Sequence, residues 1–423
     1  MKKIYSMLLL IVMLCSLSIV SASENLSTSD NPVVVDNVDM SSKNIGSIPD
    51  VTSASNDVVV SENSSVEWKS YENEKDDNVS DNQSNSSSNS TSNGSYKEES
   101  VVSNVVTKNV SSSYGTVVNY NIKVLDQFKK PMVGKTVSVT IGKKTVEKIT
   151  DSDGMVTFTL NCQAGKYVIK YKVDNINGSN SYIVKNKISL TVLNWNLKGD
   201  VSKINLIKKN MPNNTWVKKA VAATKKGIPL LKFKGGKGKI VFMTAGVHGN
   251  ELSSQVAAMK MIKYLSDNPI SGTVYIMPFV NVKAIAKKVR YTDKDYNRIA
   301  SSSGTIPNKI VKLVVKYKCN SYGDFHTTKP GGAPGKDIVM GSKSLKSKSA
   351  DLTNYIAKKC KVNKRIYSHI GQEYPGALFE NVNKKGITSV ICEVALPHNT
   401  VTTKTVKTSF NMMKYLLKYN SVI

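Results

Sequence analysis

Cysteine is the first scarcity of this 423-residue chain. Cys15 falls in an N-terminal apolar run, and Cys162, Cys319, Cys360 and Cys392 are scattered without a C-x-x-C pair. That spacing excludes a thioredoxin-type motif and a cysteine zinc cage. It leaves any disulfide pairing open, with small buried thiols as the plainer reading. Long apolar runs are missing too. After residue 20 no stretch approaches the ~20 apolar residues of a spanning helix. Acidic residues are few, 31 against 59 Lys and Arg, for a net charge of +28. Histidine is rarer still. His248, His326, His369 and His398 are the whole supply, which narrows any imidazole metal site sharply.

What is present divides along the chain. Lys2 and Lys3, the uncharged run Met7 to Val20 and the small residues Ser21 and Ala22 read as a signal peptide over 1–23. An uncleaved anchor is the alternative, and Leu14 before Cys15 argues against lipidation. A secreted, surface-associated protein is expected, with no transmembrane helix after cleavage. Residues 24–110 carry fifteen acidic and five basic residues, and Asn82 to Ser95 is nearly all Asn and Ser. Such a segment buries too little apolar surface to offset chain entropy, so a disordered stalk is expected. Its eight N-x-S/T sequons are glycosylation acceptors if the host has the machinery. From Ser111 onward sixteen acidic face fifty-two basic residues. A region so basic suits an anionic neighbour, such as a cell-wall polymer or lipid surface. Export makes nucleic acid the poorest of these partners, and a merely solvated Lys-rich surface is the bland alternative.

Between 111 and 194 short alternating segments are broken by turns: 117–125, 136–141, 156–160, 167–171 and 187–192, with Asp151-Ser152-Asp153-Gly154 as one turn. About seven strands in some 80 residues predict a small all-β sandwich. The run from Lys123 to Leu160 resembles the immunoglobulin-like repeats of prokaryotic, especially archaeal, surface proteins. That implies a spacer or wall-binding module. From 195 to 423 the periods lengthen. Apolar strands at 239–244, 274–279 and 389–394 alternate with amphipathic helices at 252–265, 309–316, 350–360 and 410–419. An α/β layered domain is predicted.

The stretch IVFMTAGVHGNELSSQVAAM carries the chemistry. A buried strand ends at Ala245-Gly246, and His248 and Glu251 follow at the start of a helix. Spaced three apart, an imidazole and a carboxylate can point at one spot, two of the three protein ligands of a catalytic zinc. Open α/β sheets place ligands at such strand ends. The third ligand should come from another strand end. His326 in GDFHTT is the best candidate, whereas His369 and His398 sit in polar, loop-like contexts. Asp324 is placed to orient a ligating imidazole, though spacing does not say which one.

With these motifs in order, the C-terminal part resembles the zinc carboxypeptidase superfamily, in particular its succinylglutamate desuccinylase/aspartoacylase-like branch. The likeness runs from about Ile228 to Pro397 through AGVHGNE, MPFVNVKA, RYTDKDYNR, GDFHTT and EYPGALFENVNKKGITSVICEV. It implies an α/β/α domain with a mixed central sheet behind the sandwich. It implies one Zn2+ held by His248, Glu251 and His326. Glu393 would be the general base, Arg290 the polariser of the scissile carbonyl, and Asn297 with Arg298 the clamp for a substrate carboxylate. Tyr374 falls near a substrate-contacting tyrosine, in a loose part of the alignment. Val282 departs from the proline usual in relatives, with a local effect on the turn. The implied activity is hydrolysis of an amide bond near a free carboxylate, on cell-wall peptides or, alternatively, on N-acyl amino acids. A catalytically silent adhesin is the rival from another class.

Overall fold

A computed structural model describes residues 98–423, together with the backbone of the two-residue strand β1, Val33–Val34. The expected signal peptide and the stalk up to residue 97 otherwise lie outside the described residues.

The first described unit is built from eight strands: β2 (Val102–Val106), β3 (Val110–Ser113), β4 (Val118–Asp126), β5 (Thr136–Ile141), β6 (Lys144–Ile149), β7 (Met155–Leu160), β8 (Gly165–Val173) and β9 (Ile176–Lys185). Strands β2-β4-β7 form one sheet, and β3-β9-β8-β5-β6 form the other. Alternation decides which side chains meet. Tyr120, Ile122 and Val124 of β4 and Phe158 of β7 share one core with Val137, Val139, Ile169 and Tyr182 of the second sheet. Two limits read from sequence are corrected. Val102 to Ser113 was assigned mostly to the stalk, yet its valines pair as β2 and β3. At the other end Lys187–Leu193 (β10) does not close the β unit. It pairs along its whole length with β11 (Ile228–Lys234). Antiparallel addition to an apolar edge satisfies its backbone while burying Leu190, Val192 and Leu193 in the larger core.

The second unit is layered around a nine-stranded mixed sheet, ordered β1-β10-β11-β13-β12-β14-β17-β15-β16. Its further strands are β12 (Ile240–Ala245), β13 (Thr273–Met277), β14 (Ser321–Thr328), β15 (Ile338–Ser342), β16 (Asn363–Tyr367) and β17 (Thr388–Ala395). The central four, β13, β12, β14 and β17, run parallel. β12 is followed by helix Leu252–Asp267 and then by β13 on one side, whereas β14 lies on the other side of β12. Connections that diverge from one strand leave a crevice at its carboxyl end, where ligands bind in such sheets. Strands β12, β13 and the middle of β17 are buried on both faces and read as apolar runs, whereas β14 is equally buried but largely polar. The closing helix begins at Thr403, not near Phe410, because Thr402 caps it by accepting from the Thr405 N–H.

Candidate active site

Two strand ends meet at this crevice. The loop after β12 begins at Gly246, whose φ of +73° suits glycine. It is then held by three backbone bonds: the Val280 N–H to the Ala245 carbonyl (3.1 Å), the Asn281 N–H to the Gly246 carbonyl (2.8 Å) and the Gly249 N–H to the Arg290 carbonyl (2.9 Å). The last approach requires glycine, since a Cβ at 249 would collide with the Ala284 backbone. So constrained, His248 and Glu251 turn inward, both 3% exposed. His326 comes from β14, one residue beyond the Ala245–Phe325 pair that ends the β12 ladder.

Glu251 is the hub. Its Oε1 lies 2.7 Å from His248 Nδ1, and its Oε2 lies 2.8 Å from His326 Nδ1. Oε2 also accepts from the Thr327 N–H at 3.0 Å, and Oε1 from Arg290 Nη1 at 3.2 Å. The outer nitrogens of both rings face carboxylates. His248 Nε2 is 2.8 Å from Asp295 Oδ1. His326 Nε2 is 3.1 Å from Asp324 Oδ2, an ion-pair distance whose alignment falls short of a hydrogen bond. Asp324 is itself anchored by the Thr244 hydroxyl at 2.8 Å. Ligand-grade atoms of His248, Glu251 and His326 all lie within 4.8 Å of one another. Two imidazoles and a carboxylate, each imidazole backed by a second carboxylate, form a donor set able to hold a metal ion.

Electrostatics follow from this packing. Burial opposes protonation of His248, but Glu251 and Asp295 outweigh it and raise its pKa. Burial likewise opposes protonation of His326, and Asp324 and Glu251 lift it well above the usual histidine value. Glu251 is pushed up by burial, yet the two imidazoles hold it well below the ordinary carboxylate range.

Glu393 sits directly beside His326 in the parallel β14–β17 ladder, so both side chains emerge on one face. Its Oε2 is buried without a partner. Burial pushes its pKa up to about 8, with His326 opposing and Glu251 adding to the rise. Arg290 is 38% exposed and spans Glu251 and Asp295, whose Oδ2 lies 3.4 Å from Nη2. Asn297 is buried, and its side-chain oxygen accepts from the Leu378 N–H at 3.0 Å. Any contact of Asn297 with substrate must therefore come from Nδ2. Arg298 is exposed and lies 4.9 Å from the Tyr374 ring centroid, so these two expected substrate residues touch each other. His369 is exposed and bonds Ser368. His398 sits behind the loop, 3.2 Å from Asn250 Nδ2 and from the Thr327 carbonyl.

Asp295 was not singled out from sequence, and it ties the site together. One oxygen, Oδ1, meets both His248 Nε2 and the Asn297 N–H at 2.9 Å. The scarcity of arginine is a further signal in the sequence. The sequence holds only three arginines, Arg290, Arg298 and Arg365. A chain that uses lysine almost everywhere else keeps two guanidiniums among the expected site residues. The third stacks on Tyr367 at 5.1 Å, and that ring meets Tyr374 edge-on at 6.2 Å.

Val282, where proline was expected, occupies the first position of helix Val282–Lys287 and is fully buried. Proline suits that position by its fixed φ, but Asn281 starts the helix here by accepting from the Ala284 N–H at 3.1 Å.

The geometry thus defines an α/β protein with a candidate mononuclear metal centre at the carboxyl ends of parallel strands. Residues 237–305 match the family model of the succinylglutamate desuccinylase/aspartoacylase catalytic domain, so the C-terminal domain is similar to that hydrolase family. Among solved structures, the product-bound ectoine utilization protein EutE (DoeB) from Ruegeria pomeroyi is 16% identical with a TM-score of 0.40, covering 47% of this chain and 64% of that one. A succinylglutamate desuccinylase from Silicibacter sp. TM1040 is 18% identical, TM-score 0.37, covering 46% and 61%. The tripeptide-bound cell shape determinant Csd4 from Helicobacter pylori is 13% identical, TM-score 0.38, covering 47% and 56%. The chain spans less than two thirds of each of these three, and the likeness concerns fold alone. No curated protein matches the sequence significantly.

Proposed function

We propose that this chain is a zinc-dependent hydrolase that cleaves an amide bond close to a free carboxylate. The observation that carries the reading is the convergence of His248, Glu251 and His326 with the unpartnered Glu393 beside them. The donor set fits zinc, with two Nδ1 atoms, one carboxylate and room in the ligand count for water. When bound, the ion would supply Lewis acidity to a water and to the scissile carbonyl.

The chain's own residues do the rest. Glu393 takes a proton from the attacking water at its free oxygen and returns it to the leaving nitrogen. A carboxyl whose pKa burial has raised to about 8 suits that exchange near neutrality. Arg290, partly exposed, donates to the carbonyl oxygen as negative charge develops there. Arg298 offers a planar pair of donors to a substrate carboxylate, with Tyr374 stacked behind it to limit its rotation. Asn297 adds Nδ2.

The substrate we favour is a cell-wall peptide, because the apolar N-terminal run and the acidic Ser/Asn-rich segment suit an exported, surface-associated protein. We read the β unit in the same way, as an immunoglobulin-like spacer. A second reading, deacylation of an N-acyl amino acid, is favoured by the family match over 237–305. Turnover by the full chain of wall peptides and of N-succinyl and N-acetyl amino acids, with and without chelator, separates the two. Chelator-sensitive release of an amine from a peptide is expected. Activity confined to N-acyl amino acids would replace the first reading with the second, and no turnover of either would remove both.

A further inference from the structure

Four lysines, with no histidine beside them, line a cavity of about 430 Å³ where the β unit meets the large sheet: Lys187, Lys232, Lys234 and Lys237. Three of them lie on one face of the β10–β11 pair. Lys187 is the direct cross-strand partner of Lys234, and Lys232 opposes Ser189, which also lines the cavity. Their neighbours Leu231 and Phe233 point the other way into the core. Like charges set directly opposite one another destabilise a sheet, so this arrangement costs stability where it stands. Among the described residues, no carboxylate lines the cavity to offset it and none of the four lysines is ion-paired. Burial, followed by the charges of Lys234 and Lys187, lowers the pKa of Lys232.

The walls come from both units and are fixed by direct bonds. The Ala164 N–H donates to the Gly235 carbonyl at 2.6 Å, and the Lys237 N–H donates to Gln163 Oε1 at 3.0 Å. Tyr114, also from the β unit, places its ring 5.7 Å from the Lys234 ammonium. The cavity is therefore a preformed, strongly positive recess with neutral polar groups on its rim.

We propose that this recess binds a phosphate-class oxyanion, free or carried on a polymer. Ammonium groups are compact point charges whose donors rotate, which suits a tetrahedral multivalent oxyanion approached from several sides. The planar fork that favours a lone carboxylate belongs to arginine, and no arginine lines the recess. Bound phosphate would also relieve the repulsion between Lys187, Lys232 and Lys234.

Calorimetric titration of the full chain at low ionic strength tests this, with inorganic phosphate, a glycerol-phosphate oligomer and acetate as probes. Phosphate is expected to bind, more weakly as salt is added, with acetate giving no competition. Lys232→Ala/Lys234→Ala should weaken phosphate at least about tenfold, and the milder Lys187→Ala should weaken it in the same direction. Lys312→Ala/Lys316→Ala, on an exposed helix face, should leave it unchanged. Tighter binding of the oligomer assigns the site to a polymer, and preference for the free ion assigns it to phosphate itself. Absence of phosphate binding, equal binding by the Lys187 and control variants, or acetate binding as tightly would overturn the proposal.

Discussion

Glu393 lies beside His326 across two parallel strands, buried, with one carboxyl oxygen unpartnered. In metal-free protein burial raises its folded pKa to about 8, whereas in an unfolded chain it ionises near the ordinary glutamate value of 4.5. Between those values the folded state holds the extra proton. Rising pH therefore favours unfolding across the window, and the stability lost is recovered only by acidification. Glu393→Gln cannot ionise. In chelator it is expected to unfold at a higher temperature than the parent at pH 8 and to match it at pH 5, as scanning calorimetry would show. With zinc the same variant should lose about 10²–10⁴-fold in kcat, because proton transfer to and from the water is removed. A variant that is both stable and fully active would deny Glu393 its role. Asp295→Ala frees His248 Nε2. It should weaken zinc about 10–100-fold in a chelator competition while leaving the fold intact. Alone, an H-x-x-E at a strand end also fits a capped helix start with an ion pair, and the pair His248 and Glu251 was legible because four further motifs follow it in order. Asp295 was not, because Asp293 offers an equally plausible acid two residues earlier. Only the fold shows that Asp293 is 75% exposed beside Lys283 while Asp295 turns in.

At the level of elements, the proposed substrate side depends on a close backbone approach. The Ala300 N–H donates to the Gly376 carbonyl at 2.9 Å, and a Cβ at 376 would collide with the Arg298 carbonyl. Gly376→Ala must therefore move the segment that carries Asn297 and Arg298. A rise in KM with zinc affinity unchanged is expected, with about 1–3 kcal/mol of lost stability, measurable by steady-state kinetics beside a denaturant titration. A fall in zinc affinity of the same size would show that the clamp and the metal loop are not separate elements. Strongly periodic elements were readable, since helix Leu252–Asp267 and strands β12 and β17 lie within two residues of their predicted limits. Strands β11, β15 and β16 were not. Pro229 interrupts β11, Gly341 interrupts β15, and β16 is mostly exposed and polar, so none shows the apolar run of a central strand. Their pairing is imposed by the sheet rather than by local preference.

Over the whole molecule, the boundary between the two units was misplaced for the same reason. Lys187–Leu193 has the alternation of a sandwich strand, and nothing local says which sheet it joins. The excess of positive charge was legible from composition. Its concentration in one recess was not, because Lys187 and Lys232 are 45 positions apart and meet only through the β10–β11 register. The charge arrangement around Glu251 bears on stability of the entire domain. A ligand bound only by the folded state adds about 2.7 kcal/mol at a hundredfold excess over Kd, so zinc should raise the unfolding temperature of the full chain. The most direct measurement is zinc titration calorimetry of the chelator-treated full chain beside His326→Ala. One ion per chain, with binding lost in the variant, is expected. Zinc binding that is absent from the parent, or equally tight without His326, would contradict a metal centre built from these two strand ends.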